Sequence, residues 1–149
     1  MRIVLQRVSS GNVTINGEKV AEIGRGLVIL LGIGPQDTPE QARILADKIA
    51  HLRIFEDDQG KMNLSVRDAG GQAIVVSQFT LYADTRKGRR PSFTDAALPD
   101  LARPLVDFFA QQLTSLGVPT QTGEFGAHML AEIHNDGPVT ILFEADSAS

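Results

Sequence analysis

A chain of 149 residues with a formal charge of -4 and no cysteine is one domain by length, and it can bury roughly two-thirds of its unfolded surface without a metal or disulfide staple. The missing cysteines exclude disulfides, thiolate nucleophiles and cysteine-held zinc or iron-sulfur clusters, and the acidic balance excludes a general polyanion binder while allowing a local basic patch. The opening MRIVLQRV lacks the n-region, h-region and cleavage site of a leader, and no apolar run approaches a membrane span, so a soluble cytoplasmic protein is expected.

In chain order, residues 2–8 read as a strand, and VTINGEKVAEI places Asn16-Gly17 between two β-prone runs, a type I′ hairpin signal because both central positions need positive φ. Residues 26–33, GLVILLGI, are apolar throughout and rich in branched side chains, as in a central strand buried on both faces. Thr38-Pro39-Glu40-Gln41 combines an N-cap hydroxyl, a proline at the first helical position and Gln at the third; Ala42, Leu45, Ile49 and Leu52 then follow on one helical face.

A short strand at 52–55 leads into the polar turn EDDQGKMN, and residues 73–78 form another apolar strand that runs into SQFTL. Residues 84–99 are a loop containing TRKGRRPSF. A second helix carries Leu101, Leu105, Phe108, Phe109, Leu113 and Leu116, with Pro104 near its start and Gly117 as its stop. Two strands, 127–134 and 139–144, close the chain, with Asn135-Asp136-Gly137-Pro138 read as a reversal between them. Residues 1–145 make the domain, and 146–149 a short flexible tail. Many strands, hairpin neighbours and two separated helices predict a mixed α+β fold of α/β composition, with two sheets and helices covering one side.

Familiar catalytic signatures are missing: there is no G-x-S-x-G and no G-x-x-x-x-G-K-[ST], and the glycines near Gly24, Gly26, Gly32 and Gly34 do not fit G-x-G-x-x-G. His51, His128 and His134 do not make H-x-x-x-H, and Glu56, Asp57 and Asp58 miss the calcium-loop spacing, so no metal is expected. In SQFTL, Ser77 and Thr80 supply hydroxyls and Gln78 an amide at a strand end, yet no base lies in the stretch. Either they satisfy turn backbone, or a site here works through backbone donors and positioning. Arg86, Lys87, Arg89 and Arg90 crowd one loop, read either as a solvated surface or as a grip for a few phosphates of a nucleic-acid end.

SQFTL (Ser77, Gln78, Phe79, Thr80, Leu81), RPSF from Arg90, GAHM from Gly126 and NDGPVT from Asn135 together resemble the D-aminoacyl-tRNA deacylases. MRIVLQRV, LRIFEDDQGKMNLS and TGEFGA match in the same order, so the resemblance runs over nearly the whole chain. It implies a compact three-layer β/β/α fold and a homodimer with active sites at the subunit interface. The implied reaction is hydrolysis of the ester between a D-amino acid and the 3′-terminal adenosine of tRNA, with no cofactor and no membrane partner.

The resemblance further implies that Gly137-Pro138 is cis and reaches into the partner's site. There, rigid main-chain oxygens would reject L side chains and leave glycine as a second substrate. It assigns an oxyanion hole to amides around Phe79 and Thr80, assisted by the ribose 2′-hydroxyl, with a nucleophilic Thr80 as the competing proposal. Arg7 matches a residue holding the Gly-Pro carbonyls, and Met129 one lining the substrate site; an ordinary sheet-face arginine and a core methionine are their plainer readings. Gly11 stands where the family often has alanine. A non-catalytic module binding the tRNA acceptor end would use the same loop and cleft.

Overall fold

The computed structural model describes residues 1–145, and the expected tail, 146–149, lies outside the described residues. In order come β1 (Arg2–Ile15), β2 (Glu18–Ile23), β3 (Gly26–Gly32), α1 (Pro39–Ala50), β4 (Phe55–Glu56), β5 (Met62–Leu64) and β6 (Gln72–Ser77). A 3-10 turn (Phe79–Tyr82), α2 (Pro99–Ser115), β7 (Thr120–Thr122) and β8 (Leu130–Glu144) complete the mixed α+β fold.

β1 is the spine. One edge pairs antiparallel first with β3 and then with β2, and the other edge pairs antiparallel with β8 along nearly its whole length. β6 joins β3 in parallel, and β7 joins β6 in parallel. β4 and β5 form a separate two-stranded ribbon. Asn16 and Gly17 have φ of 50° and 81°, as a two-residue hairpin turn demands.

The odd-numbered positions Ile3, Leu5, Leu27, Ile29 and Leu31 face the helices, meeting Leu45 and Ile49 of α1 and Phe109 and Leu113 of α2. Beyond a corner at Ser9-Ser10 and Gly24-Arg25 the hairpin folds over the opposite face, where Val13, Ala21 and Ile23 pack on Val28, Ile74 and Val76. The fold-over is tight: a Cβ on Gly11 would lie 2.9 Å from Val28 Cγ2, so alanine there requires the valine to move. Two apolar cores thus share one sheet, giving helix, sheet and folded-over hairpin as three layers. Each large aliphatic side chain so buried contributes about 1.5–3 kcal/mol.

Both helices start as the residues dictate. Thr38 Oγ1 accepts from the Gln41 amide at 3.4 Å and Gln41 Oε1 accepts from the Thr38 amide at 2.9 Å, a complete capping box ahead of Pro39. α2 begins at Pro99, two residues before the first expected apolar position, so Pro104 falls inside the helix past its first turn and removes one internal hydrogen bond.

Four local expectations are corrected. β1 continues unbroken to Ile15, the short strand is Phe55–Glu56 rather than 52–55, and the strand expected from 127 starts at Leu130, leaving His128 outside it. Most consequentially, Asn135-Asp136-Gly137-Pro138 does not reverse the chain. β8 runs straight through, Thr140–Glu144 pairing with Arg2–Gln6 and Leu130–His134 with Ser10–Thr14, while the turn-forming residues bulge out between the two ladders.

Candidate active site

β6 ends at Ser77, and the chain tightens at once into the 3-10 turn. The Gln78 amide donates to the Leu31 carbonyl at 2.8 Å, so the turn hangs from the end of β3. Gly32 makes room for it: a Cβ there would lie 3.0 Å from the Gln78 carbonyl oxygen and 3.1 Å from Leu81 Cβ. Among the described residues neither the Phe79 nor the Thr80 amide has a protein acceptor. Two donors at the start of a helical turn are therefore free to meet a developing anion.

The turn forms one wall of a cavity of about 560 Å³, lined mainly by apolar side chains. Ser77, Gln78 and Phe79 line it together with Phe93, Phe125, His128 and Met129, and the start of α2 closes another side with Leu98, Pro99 and Ala102. Phe79 and Phe93 meet edge to face with centroids 5.2 Å apart, joining the turn to the end of the basic loop. Met129 fills the space left by Gly123, where a Cβ would overlap its sulfur, and it also packs against the second core. Met129 thus lines the cavity with one side and packs against the second core with the other.

Thr80 is exposed, and its hydroxyl oxygen accepts a hydrogen bond from Gln78 Nε2. Among the described residues no histidine or carboxylate hydrogen-bonds to the hydroxyl of Ser77 or Thr80. What the turn offers chemically is oriented donors in an apolar enclosure. Sequence alone does not mark the enclosure: Phe93, Phe125 and Leu98 carry no catalytic group, although Phe93 ends RPSF and Phe125 lies within TGEFGA.

The basic loop is anchored beside the cavity by a bridge in which the Asp84 amide donates to the Ser92 carbonyl at 2.7 Å and the Ser92 amide donates back at 2.9 Å. Arg86 folds onto Asp84, Nη2 to Oδ2 at 2.8 Å and Nε to Oδ1 at 2.9 Å. Hydrogen bonds from the Arg86 side chain and amide hold the Asp84 carboxyl at about 2, below the usual carboxylate range. Lys87, Arg89 and Arg90 are exposed and, among the described residues, make no ion pair. Of the four basic residues, one is locally neutralised and three are available.

Gly137-Pro138 is cis and exposed, but it does not line this cavity in its own chain. The bulge is held from beneath by Arg7, whose side chain is almost wholly buried. Its Nε donates to the Asp136 carbonyl at 2.9 Å and its Nη1 to the Ile54 carbonyl at 2.7 Å. The anchored carbonyl therefore belongs to the residue before the Gly-Pro pair, not to the pair itself. Asn135 completes the frame, Oδ1 accepting from the Val139 amide at 2.8 Å and Nδ2 donating to Thr140 Oγ1 at 3.0 Å.

Comparison with known proteins agrees along the whole length. The family model for D-Tyr-tRNA(Tyr) deacylase matches residues 4–144. The D-aminoacyl-tRNA deacylase of Roseiflexus sp. (strain RS-1) is 60% identical over 145 residues, covering 97% of this chain and 94% of the relative. The D-aminoacyl-tRNA deacylase of Heliobacterium modesticaldum is 59% identical, covering 97% and 96%. A solved c-Myc DNA unwinding element binding protein superposes with a TM-score of 0.90 at 40% identity, over 98% of this chain and 99% of that one. A probable eukaryotic D-amino acid tRNA deacylase, 20% identical with a TM-score of 0.83, shares the fold over 95% and 97% of the two chains. On a family match that takes in both the Ser77–Thr80 turn and the Arg7-anchored bulge, the chain belongs to the D-Tyr-tRNA(Tyr) deacylase family.

Proposed function

We propose that this chain, an enzyme by its family, hydrolyses the cytoplasmic tRNA ester that joins a D-amino acid, or glycine, to the 3′-terminal adenosine. It acts as a homodimer in which one subunit's Gly137-Pro138 bulge faces the other subunit's Ser77–Thr80 turn. Water adds to the ester carbonyl, the negative charge on its oxygen is taken up by the Phe79 and Thr80 amides, and the tetrahedral intermediate collapses with the ribose 3′-oxygen as leaving group. The neighbouring 2′-hydroxyl assists the proton transfers. An aminoacyl ester is already labile, so oriented donors beside a mainly apolar cavity are sufficient catalysis.

The observation that carries this reading is the pair of unengaged amides at the start of the turn, Phe79 on the cavity wall and Thr80 next to it, with no side-chain base bonded, among the described residues, to the nearby hydroxyls. Chiral selection is assigned to the bulge. A backbone segment held by Arg7 and Asn135 presents fixed main-chain atoms against one face of the substrate's α-carbon. It rejects an L side chain and tolerates any D side chain, and glycine passes because it has nothing to reject. The available cations Lys87, Arg89 and Arg90 flank the cavity through Phe93 and suit the phosphates of the acceptor end, steering without reading sequence.

The test is ester loss from tRNA carrying D-tyrosine, L-tyrosine or glycine, with and without chelator. Loss of the D-tyrosyl and glycyl esters alone, unaffected by chelator, is the expected result. Equal loss of D and L esters removes the chiral role of the bulge. Binding of tRNA with no turnover of any ester makes the chain an acceptor-end binding module.

A further inference from the structure

We propose that Arg2 is a positioning residue for the deacylation reaction, fixing the 3-10 turn whose amides receive the oxyanion. The inference rests on the catalytic reading of that turn given above. Arg2 lies on β1 between Gly32 of β3 and Glu144 of β8. Because Gly32 has no side chain, the turn sits directly over β3, and the Arg2 guanidinium reaches it from the neighbouring strand.

Three contacts converge on that guanidinium. Nη1 donates to the Leu81 carbonyl at 2.9 Å, Nε donates to Glu144 Oε1 at 3.1 Å, and the guanidinium carbon stands 4.4 Å from the centroid of the Tyr82 ring. The Leu81 carbonyl belongs to the C-terminal half of the turn, where a cation also suits the aligned peptide dipoles. The opposite end of the turn, at Phe79 and Thr80, is the end with the unengaged amides. Below it, the Tyr82 ring fills the space that a side chain on Gly34 would need, a Cβ there falling 2.9 Å from Tyr82 Oη, so the ring rests directly on the backbone that follows β3.

The turn is thus held at Gln78 by the β3 end and at Leu81-Tyr82 by Arg2. Only the Arg2 hold is made by a side chain with no place in the cavity wall. A one-ångström error in such a donor pair costs catalysis far more than it costs stability. Arg2 itself is 41% exposed along its side chain, so its ion pair with Glu144 contributes little to folding.

The experiment compares full-length wild type with Arg2→Met, Arg2→Lys and Glu144→Gln, and with Arg43→Met on the solvent face of α1 as control. Turnover of D-tyrosyl-tRNA is read together with hydrogen exchange of the bonded amides of the turn, those of Gln78, Leu81 and Ala83. The expected result for Arg2→Met is a fall in kcat of about tenfold or more with KM nearly unchanged, and exchange in the turn faster by a similar factor while the β1–β3 ladder is unaffected. Arg2→Lys, which keeps a donor for Leu81, recovers part of both losses, and Glu144→Gln shows a smaller version of them.

Tyr82 is the sole tyrosine in a chain without tryptophan, so its fluorescence gives a third readout, expected to change in Arg2→Met and not in Arg43→Met. Unchanged kcat and unchanged exchange in Arg2→Met overturn the proposal. If wild type hydrolyses no ester, the deacylase reading fails and Arg2's role in deacylation fails with it, while its hold on the turn is judged separately by exchange and fluorescence.

Discussion

Arg7 donates its Nε hydrogen to the carbonyl oxygen of Asp136 over 2.9 Å, tying the spine of the sheet to the base of the Gly137-Pro138 bulge. The same buried guanidinium also satisfies the Ile54 carbonyl. Arg7→Met removes both bonds and leaves two carbonyls short of a donor. Unfolding stability is expected to fall by about 1–3 kcal/mol, measured by urea titration. The ratio of D-tyrosyl to L-tyrosyl ester hydrolysis is expected to fall more than the D-ester rate itself, because the selective element loosens while the Ser77–Thr80 turn is untouched.

Gly137 has a φ of +135°, and a Cβ there would lie 2.8 Å from Val139 Cγ2 and 3.0 Å from Arg7 Nη2. Gly137→Ala therefore displaces the bulge through contacts as well as backbone conformation. Its expected signature in a side-by-side assay of the two esters is that of Arg7→Met, with lost D/L discrimination leading lost rate.

Thr80→Val removes the hydroxyl that Gln78 bonds while leaving the main chain in place. If the amides carry the chemistry, kcat falls by less than about tenfold, against the 10²–10³ expected for loss of one oxyanion donor. Isolation of an acyl-enzyme, or total loss of turnover in Thr80→Val, would assign Thr80 the nucleophilic role. His128→Gln at the cavity lining is likewise expected to leave the pH dependence of kcat unchanged over roughly pH 6–8, because no general base is required.

Among the described residues the basic loop has one paired cation, Arg86, and three unpaired ones. Arg86→Gln is expected to change the KM for tRNA less than Arg89→Gln does. Replacing Lys87, Arg89 and Arg90 together should flatten the dependence of binding on salt by about two units of log–log slope, at ~0.7 per single-strand phosphate contact. The Asp84–Arg86 pair has its own pH window. The folded carboxyl is depressed to about 2, so its contribution is fully present above the ordinary carboxylate range and is lost as pH falls through about 2. An NMR titration of the Asp84 carboxyl checks it, with a midpoint in the ordinary range counting against the pairing.

Phe109 of α2 is fully buried where both helices meet the sheet. Phe109→Ala is expected to cost about 3–5 kcal/mol, measured by thermal or urea unfolding.

What could be read from the residues was local. Asn16-Gly17 has a single comfortable geometry, Thr38 and Gln41 cap each other across three residues, and the alternation of Ile3, Leu5, Leu27 and Ile29 marks one buried face. The reading of Asn135 to Pro138 as a reversal failed for the opposite reason. Their preference for turns is genuine and is expressed as a bulge, but β1 offers an unpaired edge on both sides of it, and that long-range pairing carries the chain straight on. The site divided along the same line. SQFTL announced the turn, whereas the enclosure around it is assembled from α2, the basic loop and the segment before β8, elements distant in sequence. The placement of Gly137-Pro138 outside its own chain's cavity has no local signal either, since it follows from the long β1–β8 pairing and not from any window of neighbours.

The bulge also sets a rule of parity. Five residues of β8, 135–139, span the stretch that three residues of β1, 7–9, cover, so the insertion is even. Ile141 and Phe143 consequently point toward the helical core while Ile133 points into the second one, each opposite an odd-numbered partner on β1. Deleting or adding one residue between Asn135 and Val139 would turn an entire flank of β8 inside out. The length of the bulge can drift only in steps of two, and a library that varies its length should yield folded members at every second size.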